Sequence, residues 1–68
     1  GFGPALELKA TGVILVHNHP GGAPQPSQAD IDMTNMLRQA AQMVDVRVVD
    51  HIIVTEDDYA SFSDLDLL

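Results

Sequence analysis

The stretch HNHPGGAPQPSQAD, residues 17–30, decides how this chain folds, because it links a strand pattern to a helix pattern. The run before it, residues 13–16 (VILV), is apolar and largely β-branched, which is typical of a strand buried on both faces. Three prolines and two glycines lie in residues 20–26 and favour a stiff, sharply bent loop. Ser27 then suits the N-cap of a helix. The sequence therefore predicts a strand, a short loop and a helix in immediate succession.

Two histidines stand at the carboxyl end of the predicted strand. Because successive side chains of a strand point to opposite faces, His17 and His19 are expected on one face and Asn18 on the other. Asp30, in the first turn of the helix, adds a carboxylate. Two imidazoles and one carboxylate are a suitable protein ligand set for an open zinc site, whose fourth position is left for water. We therefore predict that His17, His19 and Asp30 bind Zn²⁺.

Each of these residues also has a purely structural interpretation. His-x-His is a weak motif on its own, and both rings could be satisfied polar groups at a strand end. Ser27 and Asp30 have the spacing of a capping-box variant, and the helix dipole favours an acidic residue in the first turn. A ligand role is favoured because Asp30 falls on the inward face of the helix, where a carboxylate needs a partner. Ser27 is predicted to cap the helix and to lend its hydroxyl to a reacting oxygen.

The remaining patterns predict four further features. Residues 5–10 (ALELKA) are strong helix formers and predict a short helix that ends at Gly12. Residues 30–44 predict the main helix, residues 46–55 (VRVVDHIIVT) a second strand, and residues 59–62 a short final strand. At 100° per residue, the main helix presents an apolar face of about 140° that we expect to form the core. This face consists of Met33, Met36, Leu37, Ala40, Ala41 and Val44.

Three polar residues in the second half have weaker interpretations. Asp45 is expected to end the main helix. Asp50 and His51 are expected to interrupt the second strand, and no spacing ties them to the histidine pair. Their simplest interpretation is a hydrogen-bonded structural pair, and the alternative is a carboxylate that orients a metal-binding histidine.

The bulk composition limits the classes of function. The 68 residues predict one domain, residues 1–68, with a core of marginal size that benefits from a metal or a partner chain. There is no cysteine, which excludes disulfides and thiolate metal sites. A net charge of −7 argues against direct nucleic-acid or anionic-membrane binding. No apolar run approaches the roughly 20 residues of a membrane span, so we expect a cytoplasmic protein.

The order of the site residues resembles the JAMM (MPN+/JAB) family of metalloprotease-like domains. That family's pattern is His-x-His, seven residues, Ser, two residues and Asp. The segments HNHPGG, PxPSxxD and VDHIIV extend the likeness to the bacterial RadC branch, over about residues 4–62. The residues that match the pattern are His17, His19, Ser27 and Asp30.

The resemblance implies both a fold and a chemistry. The fold would be α/β: a strand–helix–strand core whose mixed sheet is packed by helices, similar in outline to the cytidine deaminases and truncated on its N-terminal side. His17, His19 and Asp30 would bind zinc, and Ser27 would help to hold the reacting oxygen. The family's general base is a glutamate on an early strand, and this sequence starts too late to include it. Neither Glu7 nor Glu56 matches that position, so the enzymatic status of the chain stays open.

Other histidine-based metalloproteins fit less well. The chain lacks the His-x-Glu and Pro-Cys-x-x-Cys ligand set of the deaminases themselves. Gly21 breaks the alternating pattern of the histidine-triad hydrolases. Barrel metallohydrolases need roughly 200 residues or more.

Three functions follow as hypotheses. The first is a zinc metallopeptidase that cleaves a peptide or isopeptide bond. The second is a non-catalytic, metal-stapled module of a DNA-repair-associated protein, an association that the RadC name carries. The third is a segment that folds by pairing an uncovered sheet edge with another copy, as a homo-oligomer.

Overall fold

The computed structural model describes residues 5–9 and 12–68, with side chains from residue 12 onward. The elements follow the order of the chain: β1 (Ala5–Lys9), β2 (Gly12–Asn18), α1 (Gln28–Gln42), β3 (Arg47–Val54) and β4 (Tyr59–Ser61). The strands form one four-stranded sheet in the order β1-β2-β3-β4. Strand β2 runs parallel to β3, and the two outer pairs are antiparallel. The predicted α/β fold, with a strand–helix–strand core and a mixed sheet, is confirmed.

The helix predicted over residues 5–10 is wrong. Ala5–Lys9 is strand β1, which pairs antiparallel with β2. Gly12 begins β2 instead of ending a helix, and Ala10 lies outside the described residues. Helix propensity is a weak prior over so short a segment, and backbone pairing with a neighbouring strand outweighs it.

The main helix lies two residues earlier than expected, at Gln28–Gln42, because Ser27 caps it directly after the proline loop. Met43 is its C-cap, and Asp45 follows with a φ of 58°. Aspartate is one of the few residues that visit this left-handed region, so Asp45 serves the turn into β3. None of the helices in the described part of the chain is long and apolar enough to span a membrane.

The predicted core face of α1 is only partly used. The core of the sheet is formed by Val13, Leu15 and Val48. Of the six predicted helix residues, Ala41 packs against this cluster, whereas Met36 and Val44 are 65% and 70% exposed. An open apolar groove of about 300 Å³ separates the second half of α1 from the sheet. Periodicity identifies an apolar stripe, but it cannot tell whether a neighbouring element covers it.

The first half of α1 is packed differently. Its two buried residues are Asp30 and Thr34, both polar. Beneath them lies the end of the sheet where His51, Ile53 and Phe62 are fully buried. The helix therefore meets the sheet through polar contacts at its N-terminal end, which is the end that carries the predicted site.

A register shift turns His51 toward the helix. Val13 is paired with Val48, but the next residue, Ile14, is paired with Asp50. One extra residue in β3 switches the faces of the side chains that follow it. His51 thus comes opposite Leu15 and shares the face of the core. The expected interruption near Asp50 is this bulge, and the strand continues through it.

Candidate metal centre

The three predicted ligands meet where β2 ends and α1 begins. The Nδ1 atom of His17 lies 3.2 Å from Oδ1 of Asp30, and Nε2 of His19 lies 3.0 Å from Oδ2. One ligand atom from each residue can be chosen so that all three lie within 4.8 Å of one another. Asp30 is 5% exposed, and both histidines are partly buried. The structure thus brings His17, His19 and Asp30 together at one point.

The capping role and the ligand position of Asp30 coexist. The hydroxyl of Ser27 accepts a hydrogen bond from the Asp30 backbone N–H at 3.1 Å. In return, Oδ2 of Asp30 accepts the Ser27 backbone N–H at 2.8 Å, which completes a capping box. The other oxygen, Oδ1, faces His17. The box therefore fixes the carboxylate's orientation while it leaves lone pairs directed at the histidines.

Asp30 is ionised in this setting. Its burial favours the neutral form and acts to raise the pKa of the carboxyl. The hydrogen bonds from Ser27 and the fields of His17 and His19 outweigh this effect, and together they lower the pKa of Asp30. A metal ligand must be deprotonated, so the site has its anionic ligand ready at neutral pH.

The donor set fits a divalent cation. Nδ1 of His17 is buried and has no hydrogen-bond partner among the described residues, although Oδ1 of Asp30 is only 3.2 Å away. Ligands of a tetrahedral zinc ion, each about 2.0–2.1 Å from the metal, stand about 3.3 Å apart. The His17–Asp30 separation of 3.2 Å, to Oδ1, and the His19–Asp30 separation of 3.0 Å, to Oδ2, are close to this value. With one ligand atom from each residue, the three atoms lie within 4.8 Å of one another. A cation between these atoms would satisfy the nitrogen that lacks a partner.

The loop helps to orient His19. Its backbone N–H donates to the carbonyl of Val54 at 2.9 Å, which holds the residue beside β3 just beyond the end of β2. Its Nδ1 lies 3.4 Å from the carbonyl oxygen of Ala23. A proton on Nδ1 would leave Nε2 free as the ligand atom, the usual arrangement when a backbone carbonyl supports a metal-binding histidine.

Asp50 and His51 form the hydrogen-bonded structural pair that the sequence suggested, and the contact uses the backbone of His51. Oδ1 of Asp50 accepts the backbone N–H of His51 at 2.7 Å, so the two are hydrogen-bonded, but not through the ring. Asp50 also accepts the hydroxyl of Ser61 at 2.6 Å and the N–H of Ser63 at 3.0 Å. The carboxylate therefore has a structural role at β4 and makes no hydrogen bond to a histidine ring.

Sequence reasoning missed Thr34 and underestimated His51. The Thr34 hydroxyl lies 2.6 Å from Nδ1 of His51, and both residues are fully buried. The His51 ring lies 5.9 Å from that of His17 and stacks on Phe62 at 4.4 Å. The available signal was helical spacing, because Thr34 is four residues after Asp30 and shares its face. A polar residue on that face was not counted as part of the core.

The environment of His51 keeps its ring neutral. Burial disfavours the charged imidazolium and lowers the pKa of His51. The nearby His17 acts in the same direction, against the opposing effect of Asp30 and Asp50.

Comparison with known proteins identifies the family of this chain. The sequence model of the RadC-like JAB domain family matches residues 2–67. This chain belongs to the RadC-like JAB domain family. A UPF0758 protein of Syntrophotalea carbinolica is 43% identical over 67 residues, and a UPF0758 protein of Geobacter sulfurreducens is 46% identical over 67 residues. Both alignments cover 98% of this chain.

The chain spans about 30% of the length of these relatives, which is 30% of the first and 29% of the second. The family assignment covers the histidine strand, the loop and the first turn of α1, which together contain all four site residues.

Proposed function

We propose that this chain carries the metal centre of a JAMM-type zinc metallohydrolase, a metallopeptidase or isopeptidase that acts through a metal-activated water. The observation that supports this most is the convergence of His17, His19 and Asp30 in a domain of the RadC-like JAB family. Two imidazoles and one ionised carboxylate leave a fourth position open, as in catalytic zinc sites.

The proposed roles follow from the contacts of each side chain. His17, His19 and Asp30 would hold the zinc ion. When bound, zinc lowers the pKa of water and polarises a carbonyl. The Ser27 hydroxyl oxygen accepts a hydrogen bond from the Asp30 N–H. The hydroxyl proton itself has no acceptor among the described hydrogen bonds. That proton is available to stabilise the oxygen of a scissile amide as negative charge develops.

The described cluster of His17, His19 and Asp30 contains no general base. By the resemblance it is a glutamate upstream of the matched residues. Glu56 lies in the exposed turn before β4 and not in the cluster. We therefore assign metal binding to this segment and propose hydrolysis for the complete protein.

The loop beyond His19 suggests where a substrate would lie. An open cleft of about 370 Å³ lies between residues 21–25 and the turn 55–58. His19 lies next to the first of these segments, since its Nδ1 is 3.4 Å from the carbonyl oxygen of Ala23. The lining of this cleft includes Ala23 but none of the three proposed ligands, so a peptide or isopeptide chain there would lie next to His19 and not at the ligand atoms.

The test is metal-dependent amide hydrolysis by the complete protein and its variants. Asp30→Ala is expected to abolish activity because it removes the anionic ligand. Asp32→Ala is the matched control, since Asp32 is exposed on the same helix and outside the cluster. Equal activity of the wild type and Asp30→Ala would refute the hydrolase proposal.

One observation favours the alternative of a non-catalytic, metal-stapled module in a DNA-repair setting. The buried apolar residues of the described part number only five: Val13, Leu15, Val48, Ile53 and Phe62. A cation that joins β2 to α1 would stabilise so small a core. Tight, salt-dependent DNA binding without hydrolysis would support this alternative, and the net charge of −7 predicts that such binding is absent.

A further inference from the structure

Thr34 makes a two-sided contact directly behind the proposed site. Its hydroxyl donates a hydrogen bond to the backbone carbonyl of Asp30 at 2.8 Å. The same oxygen lies 2.6 Å from Nδ1 of His51. A hydroxyl has one proton, and the Asp30 carbonyl, which cannot donate, receives it. Nδ1 of His51 must therefore be the donor in the second contact.

This reasoning fixes the tautomer of His51. A proton on Nδ1 leaves Nε2 as an acceptor, and Nε2 is buried without a hydrogen-bond partner in the part of the chain that the structure describes. In the opposite tautomer, Thr34 would donate to Nδ1, and its oxygen would face the Asp30 carbonyl with no proton between them. The buried Nε2–H would then also lack an acceptor. The first arrangement satisfies both contacts of Thr34, so it is the favoured one.

The His51 ring is held firmly from the side of the sheet. It stacks on Phe62 with an interplanar angle of 18°. The backbone of His51 accepts the Phe62 N–H at 2.9 Å, and its own N–H is bound by Asp50. Among the described residues, the contact with Thr34 is the side-chain hydrogen bond that joins α1 to β3.

Apolar packing does little to fix α1 on the sheet. Leu37 and Val44 are 36% and 70% exposed, and the groove beside them is open. Asp30, in contrast, must be placed to within a few tenths of an ångström to share an ion with two histidines on another element. A polar link one turn from Asp30 can supply this precision.

We propose that Thr34 and His51 form a positioning pair that pins the first turn of α1 to β3 and so sets Asp30 against His17 and His19. The pair acts through Asp30 and touches no ligand position itself. This inference rests on the metal site of the proposed function. The inference adds two residues to that site, Thr34 and His51, which lie outside the His-x-His, Ser and Asp pattern.

The test compares Thr34→Val, which keeps the shape and removes the hydroxyl, with Thr34→Ser, which keeps the hydroxyl. Affinity for Zn²⁺ is measured by competition with a chelator, and the geometry of the site by the visible spectrum of the Co²⁺-loaded protein. We expect Thr34→Val to bind about 10–100-fold more weakly, with an altered Co²⁺ spectrum. Thr34→Ser is expected to stay close to the wild type.

Equal affinity and an unchanged spectrum in a folded Thr34→Val protein would overturn the positioning role. If that variant does not fold, ¹⁵N NMR of the wild-type protein shows which ring nitrogen of His51 carries the proton. A proton on Nδ1 supports the pair, and a proton on Nε2 refutes it. A wild type that binds neither Zn²⁺ nor Co²⁺ would instead refute the proposed metal site. The His51 tautomer, measured by NMR, would still test the Thr34–His51 contact.

Discussion

At the scale of single residues, Asp30 performs two tasks that sequence patterns usually present as alternatives. One carboxylate oxygen closes the capping box with Ser27, and the other faces His17. The spacing of Ser27 and Asp30 was enough to predict the cap. The ligand position could be inferred because helical geometry aims the carboxylate toward the histidine strand. Helix capping thus favours the same orientation of the Asp30 carboxylate that metal binding requires.

Removal of the cap is expected to weaken the fold measurably. In Ser27→Ala the Asp30 N–H loses its acceptor, which costs helices about 0.5–2 kcal/mol. Urea denaturation of the metal-free protein measures the change in the free energy of unfolding. Ser63→Ala is the control, because Ser63 is exposed and both of its described hydrogen bonds use its backbone. A loss as small as that of the control would show that the capping box contributes nothing.

Stability is expected to fall as the pH drops below about 7, through His51. Burial lowers the pKa of the folded His51, so below its unfolded value near 6.5 the unfolded chain binds more protons than the folded one. Stability therefore rises with pH across this window. The charged or titratable groups that act on His51 are His17 of β2, His19 just beyond β2, Asp30 of α1 and Asp50 of β3.

The measurement is the free energy of unfolding of the metal-free protein between pH 5 and pH 8. The matched variant is His51→Asn, which retains a donor near the Nδ1 position but does not titrate. Its profile is expected to be flatter than that of the wild type in this range. Identical slopes would contradict the assignment of a buried neutral ring.

At the scale of elements, the contact between β3 and the end of β4 supports the His51 ring behind the site. Phe62 follows β4 directly, is fully buried and supports the His51 ring. Phe62→Ala is expected to destabilise the protein by about 3–5 kcal/mol, because it leaves a cavity beneath His51. Tyr59→Ala, at a 63% exposed aromatic residue of β4, should change the stability by no more than about 0.5 kcal/mol.

Chemical denaturation of both variants, with zinc present to keep them folded, gives the comparison. Similar losses for Phe62→Ala and Tyr59→Ala would mean that the stack on His51 is not a structural support.

Elements with a strong pattern could be predicted, and elements that depend on a neighbour could not. The apolar run of residues 13–16 predicts strand β2, and the Ser27 cap and the apolar periodicity predict α1. Strand β1 was missed because its five residues favour a helix until they pair with β2. The contact between Thr34 and His51 was missed because a bulge in β3 decides which way His51 points, and no local pattern reveals that bulge.

At the scale of the whole molecule, the acidic chain combines a small core with a site at one end of its sheet. The groove beside α1 could not be predicted, because local sequence identifies an apolar stripe but not whether another element covers it. A sheet edge was expected, and β1 takes the outer position of the described sheet, although its residues were predicted to form a helix. The chain corresponds to about 30% of the length of its relatives. Pairing of an uncovered edge with a second copy stays a prediction, which size measurement with and without a chelator would test.

The central claim is that three side chains bind one divalent cation. Metal content of the purified protein, by element and stoichiometry, tests it most directly, with His17→Ala, His19→Ala and Asp30→Ala beside Asp32→Ala. We expect one zinc ion per chain in the wild type and in Asp32→Ala, and its loss in the other three. A wild type without metal, or equal zinc in all five proteins, would contradict the account.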